Sequence, residues 1–312
     1  MSKEQNKNYG KSIRAKLLNV AKKENTFYQT ILTRYFQERL LYRMSQTRYR
    51  SNFYLKGGAL MYAYERFAAR PTLDIDFLGN NISNEGTSII AAFKEICSVP
   101  FEEDGVVFDV EHITAQNITE FKDYHGIRLS IPVMMDSISQ VLTMDIGFGD
   151  VVTPSPVNLD FPILLEHLPC ANILAYSLET VIAEKMHAII DLADQSSRMK
   201  DYYDIYYLAN KFDFDGATLT KALKKTFENR GHAFTIEQFE QVMGFAENDA
   251  MQKKWKAFTR KIDTKTDDYS IVLKTIRAFL TKPFTAEIDN IGFSGRWSAN
   301  QNEWIIGGSY NG

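Results

Sequence analysis

Two short stretches of this chain combine residue types that handle phosphate and metal. In Lys56-Gly57-Gly58 the paired glycines let backbone approach a ligand closely. Free amides of a helix starting near Ala59 would favour phosphate oxygens. Further on, Leu73-Asp74-Ile75-Asp76-Phe77-Leu78 alternates as a strand does. Asp74 and Asp76 then share one face, while Leu73, Ile75 and Phe77 turn to a core. Two carboxylates about 7 Å apart along a strand face repel each other unless a cation intervenes, and a divalent metal is the usual solution. Another acid, Asp145, stands in the apolar run Val141 to Ile146 and needs a partner if it is buried. In isolation a Gly-Gly is most often a turn and an Asp-x-Asp a solvated strand edge. In this order, with one helix from Ala59 to Ala69 between them, they form a pattern.

The elements that must hold these residues are readable from periodicity. Lys11 to Arg50 reads as two helices, the first with Ile13, Leu17, Leu18 and Ala21 inward, the second with Phe27, Ile31, Tyr35, Phe36, Leu40 and Tyr42. Phe53 to Leu55 is a short strand delivering the glycines; Leu60, Tyr64 and Phe67 give the following helix a buried face, and Pro71 ends it. Thr87 to Ile96 reads as a helix and Gly105 to Ile113 as a half-buried strand. Ile127 to Val133 and Val141 to Ile146 are strands either side of a turn at Met135 to Ser139. Thr153 to Pro169 holds four of the eight prolines and reads as an irregular connection, so the domain boundary is placed at its end, dividing 1–170 from a mainly helical 171–312. There Ser177 is an N-cap, and the helix it opens carries Lys185 on its apolar face, where a lysine either snorkels or reaches into a site. Asp213 to Thr281 is helical by pattern and includes the basic-aromatic stretch Lys253 to Lys261; Trp297 and Trp304 are candidate anchors in a Gly- and Ser-rich tail.

Composition bounds the class. The chain has 312 residues, is 45% hydrophobic and has a formal charge of −3, an ordinary globular balance with room for two domains. No apolar run reaches the roughly 18 residues of a membrane span, and the polar N-terminus has no signal-like apolar stretch, so a cytoplasmic protein with no membrane partner is expected. Cys97 and Cys170 form neither a disulfide framework nor a zinc pattern and read as buried small hydrophobes, and the five histidines show no ligand spacing. Residues 1–56 carry 13 Lys or Arg against three acids. With Arg34, Arg39, Arg43, Arg48 and Arg50 along an aromatic helix, that surplus suits either an RNA-facing surface or a solvated helical face.

The run Lys56-Gly57-Gly58, then Arg70-Pro71-Thr72-Leu73-Asp74-Ile75-Asp76, resembles the polymerase-β-like nucleotidyltransferase superfamily, and specifically its AbiEii/AbiGii-type toxins. Ala183-Glu184-Lys185-Met186 and Arg198-Met199-Lys200-Asp201-Tyr202-Tyr203-Asp204 resemble the later motifs of those toxins. The resemblance implies an α+β core, a mixed sheet with flanking helices, followed by a helical C-terminal part that completes the nucleotide site. It implies that Asp74, Asp76 and Asp145 bind Mg²⁺ or Mn²⁺, with Asp150 as competitor for the third place. Lys56, Gly57, Gly58, Thr72 and Lys185 would contact the nucleotide. Asp201 would join the active site. Asp204, one turn further along the same helix face, reads as a structural acid, capping the helix or pairing with Arg198.

The implied activity is transfer of a nucleoside monophosphate from an NTP to an acceptor hydroxyl, the tRNA 3′ end being the expected acceptor. The implied setting is a bacterial toxin–antitoxin system in phage defence, with a separately encoded antitoxin that acts with or without a stable complex. A small-molecule nucleotidyltransferase of the antibiotic-modifying kind, or a non-catalytic nucleotide- or partner-binding protein, would carry many of the same residues.

Overall fold

The computed structural model describes residues 8–70, 72, 74–121, 124–193, 198–231, 235–262, 266–289 and 291–306. Expectations for Pro71, Leu73, His232 and the last residues of the tail lie outside these. The fold is α+β and divides into two units, one of Met1–Gly149 with Val157–Ala175, the other of Asp150–Pro156 with Tyr176–Gly312.

The first unit is built on a mixed sheet. Its strands are β1 (Phe53–Lys56), β2 (Ile75–Gly79), β3 (Val107–Phe108), β4 (Thr114–Phe121), β5 (Tyr124–Met135), β6 (Ile138–Phe148), β7 (Val157–Phe161) and β8 (Ala171–Ala175). They run β3-β5-β6-β2-β1-β8-β7, with β4 also paired to β5. Alternation decides the faces: Ile75 and Phe77 of β2, Leu142, Met144 and Ile146 of β6, and Ile127, Leu129 and Ile131 of β5 are all buried. Helices α1 (Tyr9–Lys23), α2 (Tyr28–Ser45), α3 (Gly57–Glu65) and α4 (Gly86–Cys97) pack around it, Phe53 meeting Phe77 and the α4 residue Phe93 edge-on or tilted.

Helix α2 is buried almost all round. Its arginines point inward, which corrects the reading of them as an RNA-facing surface. Arg43 grips Asp104 with Nη1 at 2.6 Å and Nη2 at 3.2 Å and donates to the carbonyls of Phe101 and Val106. Arg39, fully buried, pairs with Glu38 at 2.6 Å and donates to the Pro169 carbonyl. Arg34 lies 3.9 Å over the Tyr62 ring and donates to Gln37 and to the Thr72 carbonyl. Arg48 is exposed but pairs with Glu95.

Other expectations change locally. Gly105 to Ile113 supplies only the two residues of β3, because the Asp109 carboxylate turns back to the Glu111 amide and His112 and diverts the chain from the ladder. Helix α3 ends at Glu65, leaving Phe67 more than a third exposed in a following 3₁₀ turn. The Pro-rich connection contains β7, paired antiparallel with β8, and β8 adds parallel to β1, so the first unit runs to Ala175 rather than residue 170. Cys97 is buried, but Cys170 is exposed.

The second unit has helices α5 (Leu178–Leu192), α6 (Met199–Lys211), α7 (Gly216–Asn229), α8 (Ile236–Met243), α9 (Asp249–Ile262) and α10 (Tyr269–Ile288). A small sheet joins β9 (Phe214–Asp215), β10 (Arg296–Ser298) and β11 (Glu303–Ile305) in the order β11-β10-β9. Ser177 caps α5 by accepting from the Thr180 amide, and both hydroxyls donate to the Thr153 carbonyl. The tail tryptophans are plugs: Trp297 Nε1 donates to the Ala209 carbonyl at 2.7 Å and Trp304 Nε1 to that of Phe279 at 2.8 Å.

Burial pushes the Glu38 carboxyl up from 4.5 to about 7, against the opposing pull of Arg39 and the Leu164 amide. The folded chain keeps a proton that the unfolded chain releases near 4.5, so this stabilisation is complete below that pH and is lost as pH rises through 7. Urea unfolding at pH 5 and pH 8 should show the wild type losing about 2 to 3 kcal/mol more than Glu38→Gln across that interval. Parallel profiles would mean that Glu38 is ionised throughout.

Candidate active site

Strand pairing assembles a row of charges across the first unit's sheet. Lys56 at the end of β1 lies opposite Asp76 of β2, Asp76 lies beside Asp145 of β6, and Asp145 lies opposite Arg128 of β5. Register partners share a face and stand about 5 Å apart. Across four strands the order is therefore cation, acid, acid, cation. Asp74, exposed and just ahead of β2, is two residues from Asp76 and on its side of the sheet.

The glycines fit this row. Gly57 has φ +67°, and a Cβ there would overlap Asp76 Oδ2; a Cβ on Gly58 would sit 2.7 Å from the Thr72 hydroxyl. Asp76 and Thr72 thus lie against the first turn of α3 at distances only a bare backbone permits. Lys56 offers that turn no side-chain cap, so its dipole and amides suit an anion. The Thr72 hydroxyl accepts from the Asp74 amide at 3.3 Å, and Arg34 holds the Thr72 carbonyl at 2.9 Å. A buried guanidinium on α2 therefore fixes the turn leading to both acids; burial lowers it to about 10, still protonated at neutral pH.

Asp145 is clasped by a fork: Arg128 Nε donates to Oδ1 at 2.8 Å and Nη2 to Oδ2 at 2.7 Å. These residues with Asp74, Ile75, Thr143 and Met144 line a cavity of about 190 Å³. Hard carboxylate oxygens from Asp74, Asp76 and Asp145 on one face are the donor set that Mg²⁺ takes. Among the described residues no three His, Cys, Asp or Glu side chains close around one point. The donor chemistry of the three acids suits a divalent ion, but their side chains, with Arg128 on Asp145, are not gathered around one position. Arg128 escaped sequence reasoning, although a charged residue opposite an acid in a hairpin is a recognisable signal.

Asp150, the competitor for the third acid, belongs to the second unit. There Arg230 donates to it at 3.1 Å and Tyr176 OH at 3.2 Å, and the same two side chains approach Glu184. In that unit α5 and α6 bring Lys185 to two acids, with Nζ 2.9 Å from Asp201 Oδ1 and 2.7 Å from Asp204 Oδ2, all three nearly buried. Lys185 neither snorkels nor stands alone. Asp204 pairs with this lysine, and Arg198 reaches Asp201 at 3.5 Å.

A family model described as nucleotidyl transferase AbiEii toxin, type IV toxin–antitoxin system, matches residues 39–282, a span holding every residue of the site described above except Arg34. The chain belongs to this family. The AbiEii assignment makes it a nucleotidyltransferase that uses an NTP, and a toxin whose system includes an antitoxin. Two solved structures from Helicobacter pylori are similar in fold. One, described provisionally as a nucleotidyltransferase, has a TM-score of 0.47 at 15% identity over 85% of this chain and 99% of its own. The other, JHP933, has a TM-score of 0.49 at 15% identity over 84% of this chain and 97% of its own. No curated protein sequence matches the chain. Among the described residues no helix is long and apolar enough to cross a membrane.

If the AbiEii acids depend on the bare first turn of α3, Gly57→Ala should displace Asp76 and lower nucleotidyl transfer at least a hundredfold. The fold should lose only the 1–2 kcal/mol of a left-handed non-glycine residue. Transfer within a few-fold of wild type, with a matching melting curve, would show that this contact is dispensable.

Proposed function

We propose that this AbiEii-family chain transfers a nucleoside monophosphate from an NTP to the 3′-terminal hydroxyl of a tRNA, releasing pyrophosphate, in a Mg²⁺- or Mn²⁺-dependent reaction in the bacterial cytoplasm. The observation that carries the reading is the pairing of Asp76 with Asp145 across β2 and β6, beside the uncapped glycine turn of α3. Like charges at neighbouring positions are costly unless a ligand needs them.

In this reading Gly57, Gly58 and Thr72 hold the triphosphate through amides and a hydroxyl, and Lys56 adds positive charge at the edge of the row. Asp74, Asp76 and Asp145 hold the divalent ions, which would activate the attacking hydroxyl and neutralise the leaving pyrophosphate. Asp145, half out of solvent, accepts the hydroxyl proton on a carboxylate oxygen. In the second unit Lys185 binds phosphate, with Asp201 and Asp204 orienting its ammonium group.

The acceptor class draws support from surface charge. With the inward arginines of α2 discounted, α1 still carries Lys11, Arg14, Lys16, Lys22 and Lys23 with no acid, and α9 carries Lys253, Lys254, Lys256, Arg260 and Lys261 against Asp249 alone. Trp255 and much of Phe258 turn inward on α9, leaving a mostly basic outer face. Such faces attract a polyanion. Growth arrest under phage attack is the corresponding biological role, with the cognate antitoxin relieving it.

Purified protein incubated with total tRNA, Mg²⁺ and each labelled NTP in turn, beside Asp76→Ala, tests this directly. Label entering tRNA from one nucleotide, and falling at least a thousandfold with the variant, is the expected result. Transfer retained by Asp76→Ala removes the acid site. Label entering a small-molecule acceptor and never tRNA replaces the RNA reading with the antibiotic-type one.

A further inference from the structure

We propose that Arg128 is a movable phosphate-binding residue: it rests on Asp145 when no metal is bound, and transfers to the nucleotide's phosphates when a divalent ion takes that carboxylate. This rests on the metal-dependent reading above and goes beyond it, because it gives the nucleotide site a ligand from β5.

Three observations carry it. First, the fork uses both Asp145 oxygens, at 2.8 and 2.7 Å. Each oxygen already accepts one bond from a cation, so a metal ion approaching Asp145 meets the guanidinium's positive charge and the two compete for one carboxylate. Second, Arg128 is able to leave. Its side chain is 48% exposed and that of Asp145 25%, so solvent reaches the fork and can take up the guanidinium when it opens. On the Asp145 side its neighbours are short, Gly126 and Ser130 along β5 with Thr143 and Gly147 on β6, while Gln116 of β4 flanks it on the other side. Third, the charge balance changes sign when metal arrives. Lys56 and Arg128 nearly offset Asp74, Asp76 and Asp145, so a divalent ion leaves the row with a net positive charge.

The displaced guanidinium then stands about one strand spacing from the acids, where the triphosphate must lie against the metal. A planar five-donor fork is suited to two phosphate oxygens at once, as it is to the carboxylate it leaves.

The full-length wild type, Arg128→Ala and Arg128→Lys would be titrated with Mn²⁺ alone, and then with a non-hydrolysable NTP analogue at saturating Mn²⁺. Arg128→Ala should bind Mn²⁺ alone about fivefold more tightly, having lost the competitor, and the analogue at least tenfold more weakly, having lost a charge-assisted fork. Arg128→Lys should recover only part of the analogue's affinity. On the wild type itself, the ¹⁵N Nε–H resonance of Arg128, identified by its absence from Arg128→Lys, should be slow to exchange without metal. It should shift on adding Mg²⁺ and shift again on adding the analogue, a readout that needs no variant to fold. Mn²⁺ affinity unchanged or weaker in Arg128→Ala, or a resonance indifferent to both ligands while both bind, overturns the proposal and leaves the metal-dependent reading standing. A wild type that binds neither Mn²⁺ nor the analogue overturns both.

Discussion

Asp76 and Asp145 face each other across a parallel ladder because their neighbours leave no choice. Ile75 pairs with Met144 and Phe77 with Ile146, and all four are buried, so the intervening residues of both strands must emerge together on the open face. A slip of one residue would relieve the repulsion only by turning those core side chains to water. The apolar register is therefore what holds two like charges together. Much of the surrounding chemistry answers that constraint: Lys56 on one flank, the Arg128 fork on the other, and backbone without side chains at Gly57 where Asp76 leans in.

The elements near the acids were legible because their patterns are local. The glycine pair, the helix after it and the alternating run from Ile75 needed only periodicity and turn chemistry, and the Ser177 cap was plain from its position. What stayed hidden depended on distant partners. Strand β8 has no polar alternation, since Ala171, Ile173 and Ala175 are buried beside β1 and β7, and β7 sits among prolines that spoke for a loop. The arginines of α2 looked like a charged face because a buried arginine is uncommon. Their true setting required Asp104, Pro169 and Thr72, none of them near in sequence.

For the site, residue types were readable and pairings were not. The two acids and the glycines announce their chemistry, and resemblance supplied roles for Lys185 and Asp201. Arg128 was within reach, and only the turn stood in the way. A hairpin turning at Asp136 and Ser137 sets Arg128 against Asp145, whereas a turn spread over Met135 to Ser139 has its centre half a residue later and sets Leu129 there instead. Asp204 shows the same gap: its place one turn after Asp201 suggested a structural acid, and its partner, a lysine on the neighbouring helix that reaches both acids, was not visible in the sequence.

The two tail tryptophans bear on the order in which the protein is made. Trp297 fills a socket whose acceptor is the Ala209 carbonyl on α6, and Trp304 one on α10 at Phe279. Both plugs follow all six helices of the second unit in the chain. A nascent polypeptide that has been translated as far as Ile288 thus presents α6, with Asp201 and Asp204, over a core whose largest fully buried side chain is still missing. Helix α6 gains its final packing only when the hairpin arrives.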